Sequence, residues 1–82
     1  MPIRLKNRIR SLRAERGWSQ AELADRLGVS RQTVNAVEAG RSDPSLPMGI
    51  RMARLFDRRV EEVFSLDDAS AAWDMLAEQA GG

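Results

Sequence analysis

The 82-residue chain contains no cysteine, no histidine and no tyrosine. Without cysteine there is no disulfide and no thiol nucleophile. Without cysteine or histidine there is no zinc site built on those ligands, and the commonest general base is missing. The single lysine, Lys6, has nothing beside it to complete a Ser–Lys dyad. Carboxylates alone can run some reactions, but so short a chain offers little room for a water-excluding pocket. No enzyme activity, cofactor or metal is expected. The chain also lacks a run of about 18 apolar residues that could cross a membrane. No apolar stretch follows Arg4, Lys6, Arg8 and Arg10, so no signal peptide is read. The expectation is a cytoplasmic protein.

What is present describes one small soluble domain, with 43% apolar and 30% charged residues. A chain of this size buries only about 60% of its unfolded surface, so association with a second copy would add stability. The net charge of +1 hides an asymmetry. Residues 1–64 carry all 13 basic groups against eight acidic ones, giving +5, and residues 65–82 carry only Asp67, Asp68, Asp74 and Glu78, giving −4. The basic body suits a polyanionic partner. Twelve of its 13 cations are arginines, the better bidentate readers of phosphate and guanine.

Punctuation along the chain predicts helices. Ile3–Leu5 has room for one short strand. Asn7 can cap a first helix that runs to Arg16 and ends at Gly17, with Ile9 and Leu12 inward. Ser19 and Glu22 form a capping box that opens a second helix ending at Leu27, before Gly28. Ser30 caps a third, from Arg31 to about Ala39, stopped by Gly40. Ser45 caps a fourth, with Pro47 in its first turn and Ile50, Ala53 and Leu55 or Phe56 inward. Val60–Phe64 allows a short fifth helix. Residues 66–79 are a candidate sixth, since Ala69, Ala72, Trp73, Leu76 and Ala80 follow helical spacing. Trp18 reads as core or as a hydrophobic staple, and Met48, Met52 and Met75 as packing.

Two short helices joined by a tight glycine turn make a helix-turn-helix arrangement. Ala24 is small where the helices must cross, and Leu23, Leu27, Val29, Val34 and Val37 share the core. Gln20–Ala24, Leu27–Ser30, Gln32–Val34, Val37–Glu38 and Gly40 resemble the lambda-repressor-like, or XRE, family of helix-turn-helix regulators. The likeness continues through Asp43–Leu46 and Ile50–Phe56 to Val63–Phe64, covering about residues 5–64. It implies an all-α bundle of five short helices with the third as recognition helix, usually acting as a dimer on a palindromic site. The chain then divides into a helix-turn-helix domain, 1–64, and an acidic extension, 65–82.

On the third helix, Val34, Val37 and Glu38 share one face and Arg31, Gln32, Asn35 and Ala36 the other. The second set suits base edges: Arg31 for guanine, Gln32 or Asn35 for adenine, Ala36 for a thymine methyl. Gln20, Ser30 and Thr33 lie at helix starts, where free amides favour phosphate. The resemblance adds phosphate approach at Gln20 and in the loop after the third helix, here Arg41 and Ser42. It also pairs Glu38 with Arg13 as a buried structural ion pair. Leu66, Ala69, Trp73 and Leu76 are candidate dimer-interface residues.

These features point to a double-stranded DNA-binding regulator. It is expected to be a repressor acting as a homodimer on a palindromic operator, cytoplasmic and nucleoid-associated when bound. The alternative is an antitoxin that holds a protein toxin with its tail and autoregulates its operon. RNA binding is disfavoured, because the four aromatic residues read mostly as core.

Overall fold

The computed structural model describes residues 4–66. Strand β1 (Leu5–Asn7) leads into helices α1 (Ile9–Arg16), α2 (Gln20–Leu27), α3 (Arg31–Glu38), α4 (Leu46–Leu55) and α5 (Val60–Val63). Strand β2 (Phe64–Leu66) returns antiparallel to β1, with Leu5 opposite Leu66 and Asn7 opposite Phe64. The fold among the described residues is therefore five helices closed by one small strand pair. The sixth-helix expectation, with Ala69, Trp73 and Leu76, lies outside the described residues.

Local chemistry accounts for where the helices begin. Ser19, Ser30 and Ser45 each accept a bond from the backbone amide three residues on, at Glu22, Thr33 and Met48. Only the serine half of the Ser19–Glu22 capping box forms. The glutamate half appears at α5, where Glu62 Oε1 accepts from Arg59 N at 2.9 Å. The N-cap position of α1 is Arg8 rather than Asn7. Asn7 still accepts from Ile9 N at 3.1 Å through Oδ1.

Helix ends follow one pattern. After α1, α2 and α3 the chain takes a positive φ at Gly17, Gly28 and Gly40, and after α4 at Asp57. Each such residue donates back into its helix, and so does the residue that follows it. Carbonyls at these ends also receive side-chain donors from elsewhere in the fold. Arg51 Nη2 donates to Leu27 O at 2.6 Å and Arg16 Nη2 to Phe56 O at 2.8 Å. Asn7 Nδ2 reaches Val37 O at 3.0 Å and Glu38 O at 3.3 Å. Cationic donors at helix C-termini also complement the helix dipole.

The core unites Ile9 and Leu12 of α1, Leu23, Ala24 and Leu27 of α2, and Val34 and Val37 of α3 with Met52, Ala53, Phe56, Val63 and Phe64. Trp18 packs against its edge, 5.7 Å from the Phe56 ring. The guanidinium of Arg26 lies 4.3 Å over the Trp18 ring.

Three further expectations are corrected. The first strand sits at Leu5–Asn7, not Ile3–Leu5, because its register is set by β2. Phe64 opens β2 instead of ending α5. Ile50 is exposed, not inward. The buried stripe of α4 is Gly49, Met52 and Ala53, and Gly49 lies so near Phe64 that a β-carbon there would be 3.6 Å from the ring.

Gly28 turns α2 into α3 at φ 73°. A β-carbon there would meet nothing closer than Arg51 Nη2 at 4.0 Å, so its cost is one of backbone conformation. Gly28→Ala should lower stability by about 1–2 kcal/mol without loss of fold. Urea denaturation followed by circular dichroism measures this, and an unchanged midpoint would contradict it.

Candidate nucleic-acid interface

The position of α3 is fixed from behind. Val34 and Val37 are buried, and the end of the helix is held by Glu38. Arg13 of α1 grips that carboxylate with both prongs, Nε to Oε2 at 3.0 Å and Nη2 to Oε1 at 2.7 Å. Its remaining nitrogen, Nη1, donates to Trp18 O at 2.9 Å. Side-chain exposure is 15% for Arg13 and 10% for Glu38, so the pair is largely shielded from water. The hydrogen bond to Glu38, aided by its charge and opposed by burial, raises the Arg13 pKa above the ordinary arginine value. For a cation with a raised pKa, the stabilisation is complete below the unfolded value and fades only above the folded one. Arg13 therefore contributes fully across neutral and moderately alkaline pH.

The opposite face of α3 meets solvent. Arg31, Gln32 and Thr33 are exposed, and Asn35 and Ala36 are half-buried. Together with Gln20 from the start of α2 and Arg41 from the following loop, Arg31, Gln32 and Asn35 line one hollow. Asn35 joins its rim: Nδ2 donates to Gln20 Oε1 at 3.3 Å, and Oδ1 accepts from Arg41 Nη2 at 2.5 Å. The loop is held in place because Arg41 N and Ser42 N both donate to Ala36 O, at 2.9 and 3.2 Å.

The remaining residues named from the sequence fall around this rim. Ser30 Oγ accepts from Thr33 N at 3.1 Å and lies 2.9 Å from Thr33 Oγ1, so both hydroxyls are engaged in the cap. The Ser42 amide is used internally and its side chain is exposed. Leu66 lies in β2, half exposed. Sequence reasoning missed Arg10. This exposed α1 cation lines a second hollow with Asn7, Gln20, Asn35, Glu38 and Ala39, on the far side of the Gln20–Asn35 bond. Its place depends on how α1 crosses α3, which no local pattern encodes. The arrangement presents three arginines, the carboxamides of Gln20, Gln32 and Asn35, and the starts of α2 and α3 on one surface. It is suited to binding a polyanion and to hydrogen bonding with flat polar edges.

Comparison with known proteins is consistent with this geometry. A family model described as helix-turn-helix matches residues 9–63. An uncharacterized HTH-type transcriptional regulator from Methanothermobacter thermautotrophicus is 46% identical over 68 residues, covering 82% of this chain and 99% of that protein. Another from Archaeoglobus fulgidus is 42% identical over 64 residues, covering 78% and 91%. The crystal structure of a putative DNA-binding protein from Bacteroides fragilis superposes with a TM-score of 0.67 at 28% identity, covering 74% of this chain and 98% of that one.

Removing Glu38 would strand a shielded guanidinium and loosen the end of α3. Glu38→Ala should cost about 3 kcal/mol of stability, whereas the apolar pair Arg13→Met with Glu38→Leu should regain most of it. Thermal and chemical denaturation of the three proteins test this; a single variant as stable as the parent would refute it.

Proposed function

The chain belongs to the XRE family of helix-turn-helix transcriptional regulators, which bind DNA and catalyse no reaction, and from that premise we propose that it is a repressor acting as a homodimer on a palindromic operator. One observation carries the reading: a single hollow gathers Arg31, Gln32 and Asn35 of α3 with Gln20 and Arg41, while the back of the same helix is locked into the core. A helix held this way presents its side chains as a rigid unit, and the major groove admits one such helix.

In this reading α3 lies in the major groove. Arg31 takes guanine O6 and N7. Gln32 and Asn35 face adenine edges, and Ala36 faces a thymine methyl. Gln20, Ser30, Thr33, Arg41 and Ser42, joined by Arg10, lie toward the phosphates on either side, and phosphate contacts set register. The orphan amides at the starts of α2 and α3 add to the attraction. Repression then needs nothing more than occupancy of the operator. The protein works in the cytoplasm and sits on the nucleoid when bound.

Exposed apolar surface supports the homodimer. Leu66 is 50% exposed in β2, and Leu46 and Ile50 are exposed one turn apart on α4. In this reading these described residues are part of the surface that a second copy covers; Ala69, Trp73 and Leu76, the other interface residues the sequence offers, lie outside the described residues. A two-fold axis there sets the recognition helices about one DNA turn apart, roughly 34–36 Å.

Selection from a random double-stranded DNA pool across a salt series tests the proposal. The expected product is a palindrome with half-sites about one turn apart, bound with a log–log salt slope near −0.9 per phosphate contact. Arg31→Ala should relax the preference at one base pair per half-site by about 1–3 kcal/mol. Weak, sequence-independent binding at every salt would overturn the reading and direct attention to the antitoxin alternative, in which residues 65–82 hold a protein partner.

A further inference from the structure

The bonds along the rim of the hollow have a direction. An asparagine carboxamide can turn by 180° about its last torsion and exchange its oxygen and nitrogen, so its polarity is set by its neighbours. Asn35 has two. Gln20 is indifferent, since it can offer either an oxygen or an NH2 group. Arg41 is not, because a guanidinium only donates. Its Nη2 at 2.5 Å from the Asn35 oxygen holds that oxygen on the loop side and leaves the nitrogen facing Gln20. Asn35 Nδ2 then requires the oxygen of Gln20, which turns the Gln20 Nε2 group away as a free donor. The polarity of both amides thus follows from one arginine. That arginine is itself located by the bonds from Arg41 N and Ser42 N to Ala36 O.

We infer that Arg41 is a positioning residue for base reading: by fixing the polarity of the Asn35 and Gln20 carboxamides, it decides which base edge Asn35 accepts. The inference rests on the DNA-reading role of α3 proposed above. In the fixed polarity Asn35 presents an acceptor on the Arg41 side and a donor on the Gln20 side. Adenine offers the complement, the N6 donor beside the N7 acceptor. The order of donor and acceptor along α3 also specifies which strand carries that adenine. Gln20 Nε2 is left to donate to a phosphate oxygen. This role differs from that of a plain phosphate contact, which adds affinity on every sequence equally.

The test compares the full-length protein with Asn35→Ala, Arg41→Lys and Arg41→Gln in the random-pool selection. Lysine, like arginine, only donates, so it preserves the polarity; glutamine can donate or accept, so it releases it. Arg41→Gln should lose adenine preference at the same base pair that Asn35→Ala affects, and Arg41→Lys should keep it. The loss should be roughly 5- to 150-fold, the discrimination of one bidentate amide–adenine contact. A sequence preference unchanged by Arg41→Gln, with uniformly weaker binding and a salt slope shallower by about 0.9 per site, would reduce Arg41 to a phosphate contact and overturn the inference.

A parent protein without any sequence preference would overturn the regulator reading instead, and the free protein then still judges the arginine. Its Asn35 and Gln20 side-chain amide resonances should shift with Arg41→Gln and hold with Arg41→Lys. Resonances unmoved by Arg41→Gln would overturn the inference.

Discussion

The placement of α3, and of the surface proposed to read DNA, depends on the grip of Arg13 on Glu38. Three elements meet at that guanidinium: α1, which carries it; the turn before α2, through Trp18 O; and the last residue of α3. A short helix in water is marginal by itself, and α3 has only eight residues. Two buried valines hold one stripe of it against the core, but apolar contacts set depth better than rotation. The bidentate pair adds direction, since a planar fork matches a carboxylate in one geometry. Such a pair earns little net stability over apolar residues of the same size. What the geometry shows is that one bidentate pair ties the last residue of α3 to α1 and to the turn before α2.

The same economy runs through the helix ends. Most connections in the body are tight, and each leaves carbonyls that water or the protein must satisfy. The fold answers with long side chains from distant elements. Arg51 of α4 serves the end of α2, Arg16 of α1 serves the end of α4, and Asn7 serves the end of α3. Arginines that contribute to a basic surface in the overall charge are thus partly structural. The cations left facing solvent on the α3 side, Arg31, Arg41 and Arg10, are the ones placed to meet a polyanion.

Much of this was legible in the sequence because the signals are local. Serines at 19, 30 and 45 and glycines at 17, 28 and 40 mark helix boundaries by bonds and dihedrals within a few residues of themselves. The division of α3 into an apolar and a polar face follows from helical spacing alone. What was missed depends on contacts between distant residues. The three-residue strand at Phe64–Leu66 is paired with Leu5–Asn7 from the other end of the body, and the β-prone Val63 and Phe64 do not by themselves show where α5 stops. Apolar character alone predicts an inward Ile50, yet the side chain is exposed. The inward residue is its neighbour Gly49, where a β-carbon would lie in ordinary contact with Phe64 at 3.6 Å. The bond from Asn35 to Gln20 spans 15 residues and forms only once α2 and α3 cross, and that from Arg41 to Asn35 needs the loop folded back over the end of α3.

The pairing of Leu5 with Leu66 has a mechanical meaning. Directly opposed strand residues lie about 5 Å apart, so the polypeptide enters and leaves the five-helix body at one point. The body is a closed loop with a single knot at its neck, and whatever is attached on either side hangs from the same spot. Tension between the two attachments would load the rungs of the strand pair one after another, as a zipper opens, before reaching the packed helices. The neck would yield first, and the recognition surface would be spared.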